Sequence, residues 1–312
     1  MFRINKKLIV LIIMVMAIVA FHSIPPLKAV DKDNNVDPVM QRELMRLKIS
    51  DMKAAIQANG WSFDVAHNPA MQYSLDQLCS LKMELNPPIS MAIPQPQGNG
   101  NVGARPPAIP DVYSGMWSPV KDQGSCGACW AFATIGIMEA AMIKSLGVTE
   151  DLSEQHLVSC NPWAYGCNGG WFANDMMVDP GAMLESCLGY VAYDAPCVDT
   201  CPHPYAASSW AYVKDDSSIP RTRDIKAAIV NYGSVASAMT ADSYFQAYSS
   251  GVFDACFDHL TLNHAVILCG WDDDKGAWLL KNSWGTGWGE DGFMWIKYEC
   301  SNVGHAANYI VY

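Results

Sequence analysis

The run Trp130-Ala-Phe-Ala-Thr-Ile-Gly-Ile-Met-Glu-Ala-Ala-Met-Ile-Lys144 is rich in helix formers and ends near Gly147, so it predicts a helix with a glycine stop. An earlier pattern, Leu44, Leu47, Ile49, Met52 and Ile56, recurs at roughly helical spacing between Asp37-Pro38 and Gly60. Proline just inside the start makes it a second predicted helix. A short third helix is expected at Ser74, where Ser-x-x-Gln77 reads as a capping box. Beyond residue 230 the pattern changes to short apolar runs: Val235 to Met239, Ala265 to Cys269, Ala277 to Leu280, Phe293 to Ile296 and Tyr309 to Tyr312. Rich in aromatic and β-branched residues and set between Gly and Asp turns, they predict strands. Asp272 to Asp274 read as exposed turn residues. The sequence therefore describes a helical region followed by a β-rich one, an α+β chain.

Two stretches do not belong to this body. Arg3, Lys6 and Lys7 precede an unbroken apolar run from Leu8 to Phe21, and Pro25 and Pro26 follow it. Fourteen residues are short for a membrane span of about 20, so residues 1–29 are expected to be an export signal. Residues 86–110 hold seven Pro and three Gly and read as an extended linker. The expected order is a signal at 1–29, an N-terminal extension with linker at 30–105 and the α+β body at 106–312.

Charge is unevenly placed. Residues 109–312 carry 9 Lys and Arg against 23 Asp and Glu, a net of −14, while residues 1–108 carry 11 against 8. So acidic a body argues against nucleic-acid binding, which needs cationic side chains along the phosphates. Eleven cysteines in a chain with an export signal imply disulfides. Location is expected to be secreted or periplasmic, with membrane contact only through the signal.

The chemistry concentrates at Gln123-Gly-Ser-Cys126-Gly-Ala-Cys129-Trp130. Cys129 opens the predicted helix, where unpaired N–H groups and the macrodipole favour a thiolate. Alone, Cys126-x-x-Cys129 would also suit a redox or zinc site. A nucleophilic thiol needs a base and an orienting partner. His264, in Asn263-His264-Ala265, and Asn282, in Asn282-Ser283-Trp284-Gly285, lie 135 and 153 residues after Cys129. With Cys167-Asn168-Gly169-Gly170 between them, this ordered set resembles the papain family of cysteine peptidases. The resemblance runs from about Pro110 to Tyr312.

That resemblance implies a two-domain fold, with a helical left domain, a β-barrel-like right domain and the site in the cleft between them. It implies a secreted endopeptidase made as a zymogen. Cys129 would be the nucleophile, His264 the base paired with it as thiolate and imidazolium, Asn282 the orienting residue, and Gln123 a donor to the oxyanion. Trp284 would shield the His264–Asn282 contact. Gly169 and Gly170 would pair with an extended substrate. Trp171, Phe172, Ala238, Ala265 and Ala306 would line an uncharged pocket for the second residue upstream of the cut. It also implies the bridges Cys126–Cys167, Cys160–Cys197 and Cys256–Cys300, leaving Cys187 with Cys201. Cys79, Cys129 and Cys269 remain free. Expected partners are peptide or protein substrates and the chain's own propeptide as inhibitor, with the protein a monomer. No cofactor or metal is implied. The alternative is a catalytically silent binding module on the same fold.

Overall fold

The computed structural model describes residues 37–83, 109–215 and 217–312. The expected export signal and most of the expected linker lie outside them. The chain forms two units, residues 1–47 and residues 48–312. The described part of the first is the opening of helix α1 (Pro38–Asn59). There Leu44 and Leu47 are exposed, although the sequence pattern placed them on an apolar face. Met52 and Ile56, on the same helix within the second unit, are buried as that pattern expects.

The second unit continues with β1 (Phe63–Val65), a 3₁₀ turn at Pro69–Gln72 and α2 (Leu75–Leu78). The capping box expected at Ser74 is present: Gln77 N donates to Ser74 Oγ, and Ser74 N donates to Gln77 Oε1. After β2 (Val112–Ser114) comes α3 (Cys129–Leu146), closed by Gly147 at φ 68°. A mostly apolar helix of 18 residues could suit a membrane by length and composition, but 78% of this one is buried inside the protein. Helices α4 (Glu154–Cys160) and α5 (Asn174–Val178) follow. Three bridges brace this helical region: Cys126–Cys167, Cys160–Cys197 and Cys187–Cys201.

The rest is β3 (Ser209–Tyr212), α6 (Thr222–Tyr232), β4 (Val235–Met239), α7 (Ser243–Ala247), β5 (Tyr248–Phe253), β6 (His264–Asp272), β7 (Ala277–Lys281), β8 (Phe293–Lys297) and β9 (His305–Val311). Strand order is β1-β5-β8-β7-β6-β4-β9-β3, with β2 added on β6. All pairings are antiparallel except β5 with β8. The fourth bridge, Cys256–Cys300, ties the loop after β5 to the turn before β9. All nine residues of β6 are buried, because β4, β7 and β2 flank it and α3 packs against it. A strand covered on every side has no polar face to show, which is why Ala265 to Cys269 reads as a continuous apolar run.

Two expectations need correcting. The last strand begins at His305, earlier than Tyr309. Polar His305 and Asn308 sit in the ladder and hid its start, and a bulge between Ala236 and Ala238 interrupts the pairing there. Asp272 is buried rather than an exposed turn residue. It ends β6, accepts the N–H groups of Asp274 and Lys275, and pairs with the Lys275 ammonium. The latter contacts hold its carboxyl below the ordinary range.

Candidate active site

The site assembles where the N-terminus of α3 meets the start of β6. Cys129 is the first residue of α3, and His264 is the first of β6. Both are fully buried. His264 Nε2 lies 2.9 Å from Asn282 Oδ1, and the same oxygen accepts Ser283 N at 2.9 Å. An atom that accepts a backbone N–H is the carbonyl end of the amide, so Nε2 must carry the imidazole proton. His264 Nδ1 is left as the lone-pair nitrogen, and it has no hydrogen-bond partner among the described residues. The ring is therefore held in the tautomer that a proton acceptor at Nδ1 requires.

Aromatic rings enclose that contact. Trp284 lies 4.8 Å from the His264 ring, tilted by 34°, and Phe245 meets it edge-on at 5.8 Å. Trp284 is almost wholly buried, so water is excluded from the His264–Asn282 bond. Phe245 was not marked by any sequence signal, since its role depends on α7 folding back over β6.

Burial decides the charge states. It pushes the Cys129 thiol up, although N–H groups of Ser80, Ala265, Trp130 and Cys129 itself pull the other way. Burial also lowers His264 to about 4, against a smaller raising effect from Asn282. In this closed form burial disfavours the charged state of both groups, the thiolate of Cys129 and the imidazolium of His264.

What closes the site is the chain's own segment from Leu78 to Lys82. Gln123 Nε2 donates to Leu78 O at 3.0 Å and to Cys126 O at 2.8 Å. Leu81 N donates to Asn263 O at 2.9 Å, and Lys82 N to Gly170 O at 3.0 Å. Gly170 N in turn reaches Ser80 O at 3.3 Å, so Leu81 and Gly170 form a parallel bridge. This close approach needs glycine. A Cβ on Gly169, which has φ 113°, would stand 2.1 Å from Ser80 O, and one on Gly127 would stand 2.2 Å from Ser80 Oγ. Leu81 is buried in the same cluster as Cys129, Trp171, Phe172, Ala238, Ala265 and Ala306. Cys79, also free and buried, lies between the two residues that touch the site.

A second layer holds Gln123. Its Oε1 accepts Ser283 Oγ at 2.7 Å, and its backbone N donates to Ser283 O at 2.9 Å. Two residues earlier, Lys121 Nζ reaches Glu139 of α3 at 3.0 Å, Glu154 of α4 at 2.9 Å and Asp151 at 2.6 Å. Glu139 also accepts Ser118 Oγ. The loop bearing Gln123 is thus pinned to α3 by buried charge. Burial still raises Glu154, to about 8, even though Lys121 lowers it. Neither Glu139 nor Glu154 could be singled out from sequence, because their partner lies across the fold.

Residues 109–312 match the model of the papain family cysteine proteases. The chain belongs to that family. Cathepsin K of Gallus gallus is 33% identical over 260 residues, 79% of this chain and 76% of that protein. Gamete and mating-type specific protein A of Dictyostelium discoideum is 34% identical over 199 residues, 61% of this chain, and the chain spans only 43% of its length. Among solved structures, digestive procathepsin L2 from the larval midgut of Tenebrio molitor has a TM-score of 0.72 at 27% identity, covering 89% of this chain and 95% of that one. A cysteine protease of Carica candamarcensis has a TM-score of 0.57 at 26% identity and covers 65% of this chain and 98% of that one. The procathepsin match extends ahead of residue 109, so this papain-family chain carries a propeptide as well as the peptidase fold.

Proposed function

We propose that the chain is the zymogen of an exported cysteine endopeptidase whose peptidase domain begins near residue 106. Cys129 attacks the substrate carbonyl, and His264 Nδ1 takes the thiol proton and later gives it to the leaving amine. Asn282 acts as a positioning residue through its bond to Nε2–H. Gln123 and the Cys129 N–H stabilise the oxyanion. The observation that carries the reading is the His264–Asn282 contact, which leaves Nδ1 bare and unpartnered. Export is supported by the basic head and apolar run at residues 3–21 and by four disulfides.

Latency has a physical cause in this reading. Ser80 O accepts Gly170 N at 3.3 Å, so the backbone edge that a substrate would pair with is already taken. Gln123 Nε2 is already bonded to the Leu78 carbonyl. Leu81 is buried in one apolar cluster with Trp171, Phe172, Ala238, Ala265 and Ala306, the side chains assigned to the pocket, which supports a preference for substrates with an apolar residue second upstream of the cut.

The test is hydrolysis by the matured protein. Cys129→Ala should abolish it, His264→Ala should be nearly as severe, and Asn282→Ala should be milder. Matched peptides should give a higher kcat/KM with Leu than with Arg at the second upstream position, since the pocket offers a guanidinium no carboxylate. Full activity in Cys129→Ala refutes the mechanism. No hydrolysis by the intact matured protein favours a silent binding module.

A further inference from the structure

A second cluster of chemically capable side chains lies in the helical region, built from residues that are 43 and 47 positions apart. His156 is on α4, and Asp199 and His203 are on the loop after the Cys160–Cys197 bridge. His156 Nε2 and His203 Nε2 are 3.4 Å apart, and His203 Nε2 and Asp199 Oδ1 are also 3.4 Å apart. One ligand atom from each residue lies within 4.8 Å of the others.

The nitrogen–nitrogen contact of 3.4 Å is a long hydrogen bond. His156 is 1% exposed, and its other nitrogen, Nδ1, has no partner at all among the described residues. His156 Nε2 is thus a buried nitrogen aimed at the cluster with one long contact and no shorter partner among the described residues. The two 3.4 Å separations suit a metal. Ligands about 2.0–2.1 Å from a tetrahedral zinc are roughly 3.3 Å from one another.

We propose that His156, His203 and Asp199 hold one divalent cation of the zinc class. Two imidazoles and one carboxylate suit such a borderline cation and not calcium or magnesium, which take oxygen ligands. Three protein ligands leave a fourth position. It opens on a cavity of about 270 Å³ lined by His156 and Asp199, with Asp175 and Asp179 on its wall, where water or a small anion would complete the shell. The supports are covalently fixed: Cys160 is one helical turn after His156, Cys197 is two residues before Asp199, and Cys201, between Asp199 and His203, is tied to Cys187. The cation would cross-link α4 to this loop, strengthening the cysteine-rich region without taking part in peptide hydrolysis. The sequence gives no sign of it, because the ligands do not form a short-range metal motif.

The experiment uses the full chain carrying Cys129→Ala, which cannot process itself and lacks the catalytic thiol. After chelator treatment it is titrated with zinc alone, followed by calorimetry and thermal denaturation, and with cobalt alone, followed by visible absorption. The expected result is one equivalent of zinc bound at micromolar affinity or tighter, a raised Tm, and the bands of four-coordinate cobalt. His203→Ala, at a partly exposed loop position, should weaken binding at least tenfold while keeping the far-UV circular dichroism. The isosteric Asp199→Asn should also weaken it, and His264→Ala should leave it unchanged. Absence of stoichiometric binding, equal binding in His203→Ala, or loss of binding in His264→Ala would each overturn the proposal.

Discussion

Leu78 places its backbone carbonyl 3.0 Å from the side-chain amide of Gln123, 45 residues further along the chain. The contact puts the end of α2 against the amide that the proposed mechanism assigns to the oxyanion. Leu81 is buried in the same apolar cluster as Cys129, and main-chain bonds hold the segment in place.

Leu81 should therefore govern latency. Burying a leucine contributes about 1.5–3 kcal/mol, or roughly ten- to a hundredfold in the closed-to-open ratio. In a chain made resistant to cleavage within residues 86–110, Leu81→Glu should raise peptide hydrolysis at least tenfold over the uncleaved parent. Equal turnover by the two would show that Leu81 does not hold the segment in place.

Gln123 should act on the chemical step of the matured enzyme. Gln123→Ala should lower kcat by about 10²–10³, the usual loss for one oxyanion donor, with KM little altered. A rise in KM at unchanged kcat would instead assign Gln123 to ground-state binding.

Acid should destabilise the closed form. Burial holds His264 at about 4, whereas an unfolded histidine titrates near 6.5. Between those values the unfolded chain binds a proton that the folded chain refuses, so stability falls as pH drops from 6.5 toward 4. The Tm of the Cys129→Ala zymogen should be lower at pH 4.5 than at pH 7. His264→Gln should flatten that dependence, and an unchanged slope in this variant would remove His264 as the cause.

Lys121 should matter more than its partial exposure suggests. Lys121→Met leaves Glu139 and Glu154 buried without their shared cation, and breaking such a pair costs about 3–5 kcal/mol. Urea denaturation should show that loss at neutral pH. The double change Lys121→Met with Glu154→Gln should recover part of it, because a buried carboxyl that has lost its cation is gone.

Much of this protein is local and so was readable in the chain. The Cys129–Leu146 helix and its Gly147 stop, the Ser74 capping box and the Val235–Met239 strand all follow from residues within a few positions of one another. The pieces of the site were readable for a different reason. Gln123, Cys129, Gly169, Gly170, His264 and Asn282 are residue types that few other environments demand, held in a recognisable order. Tertiary structure alone decided what those pieces meet. Short strands such as Phe63–Val65, Val112–Ser114 and Ser209–Tyr212 exist because neighbouring strands supply their hydrogen bonds, not because their own patterns call for it. How strongly burial opposes charge on Cys129 and His264 depends on how completely the site is covered. The Leu78–Gln123, Lys121–Glu139 and His156–His203 contacts join distant segments, and only folding sets the distance between them.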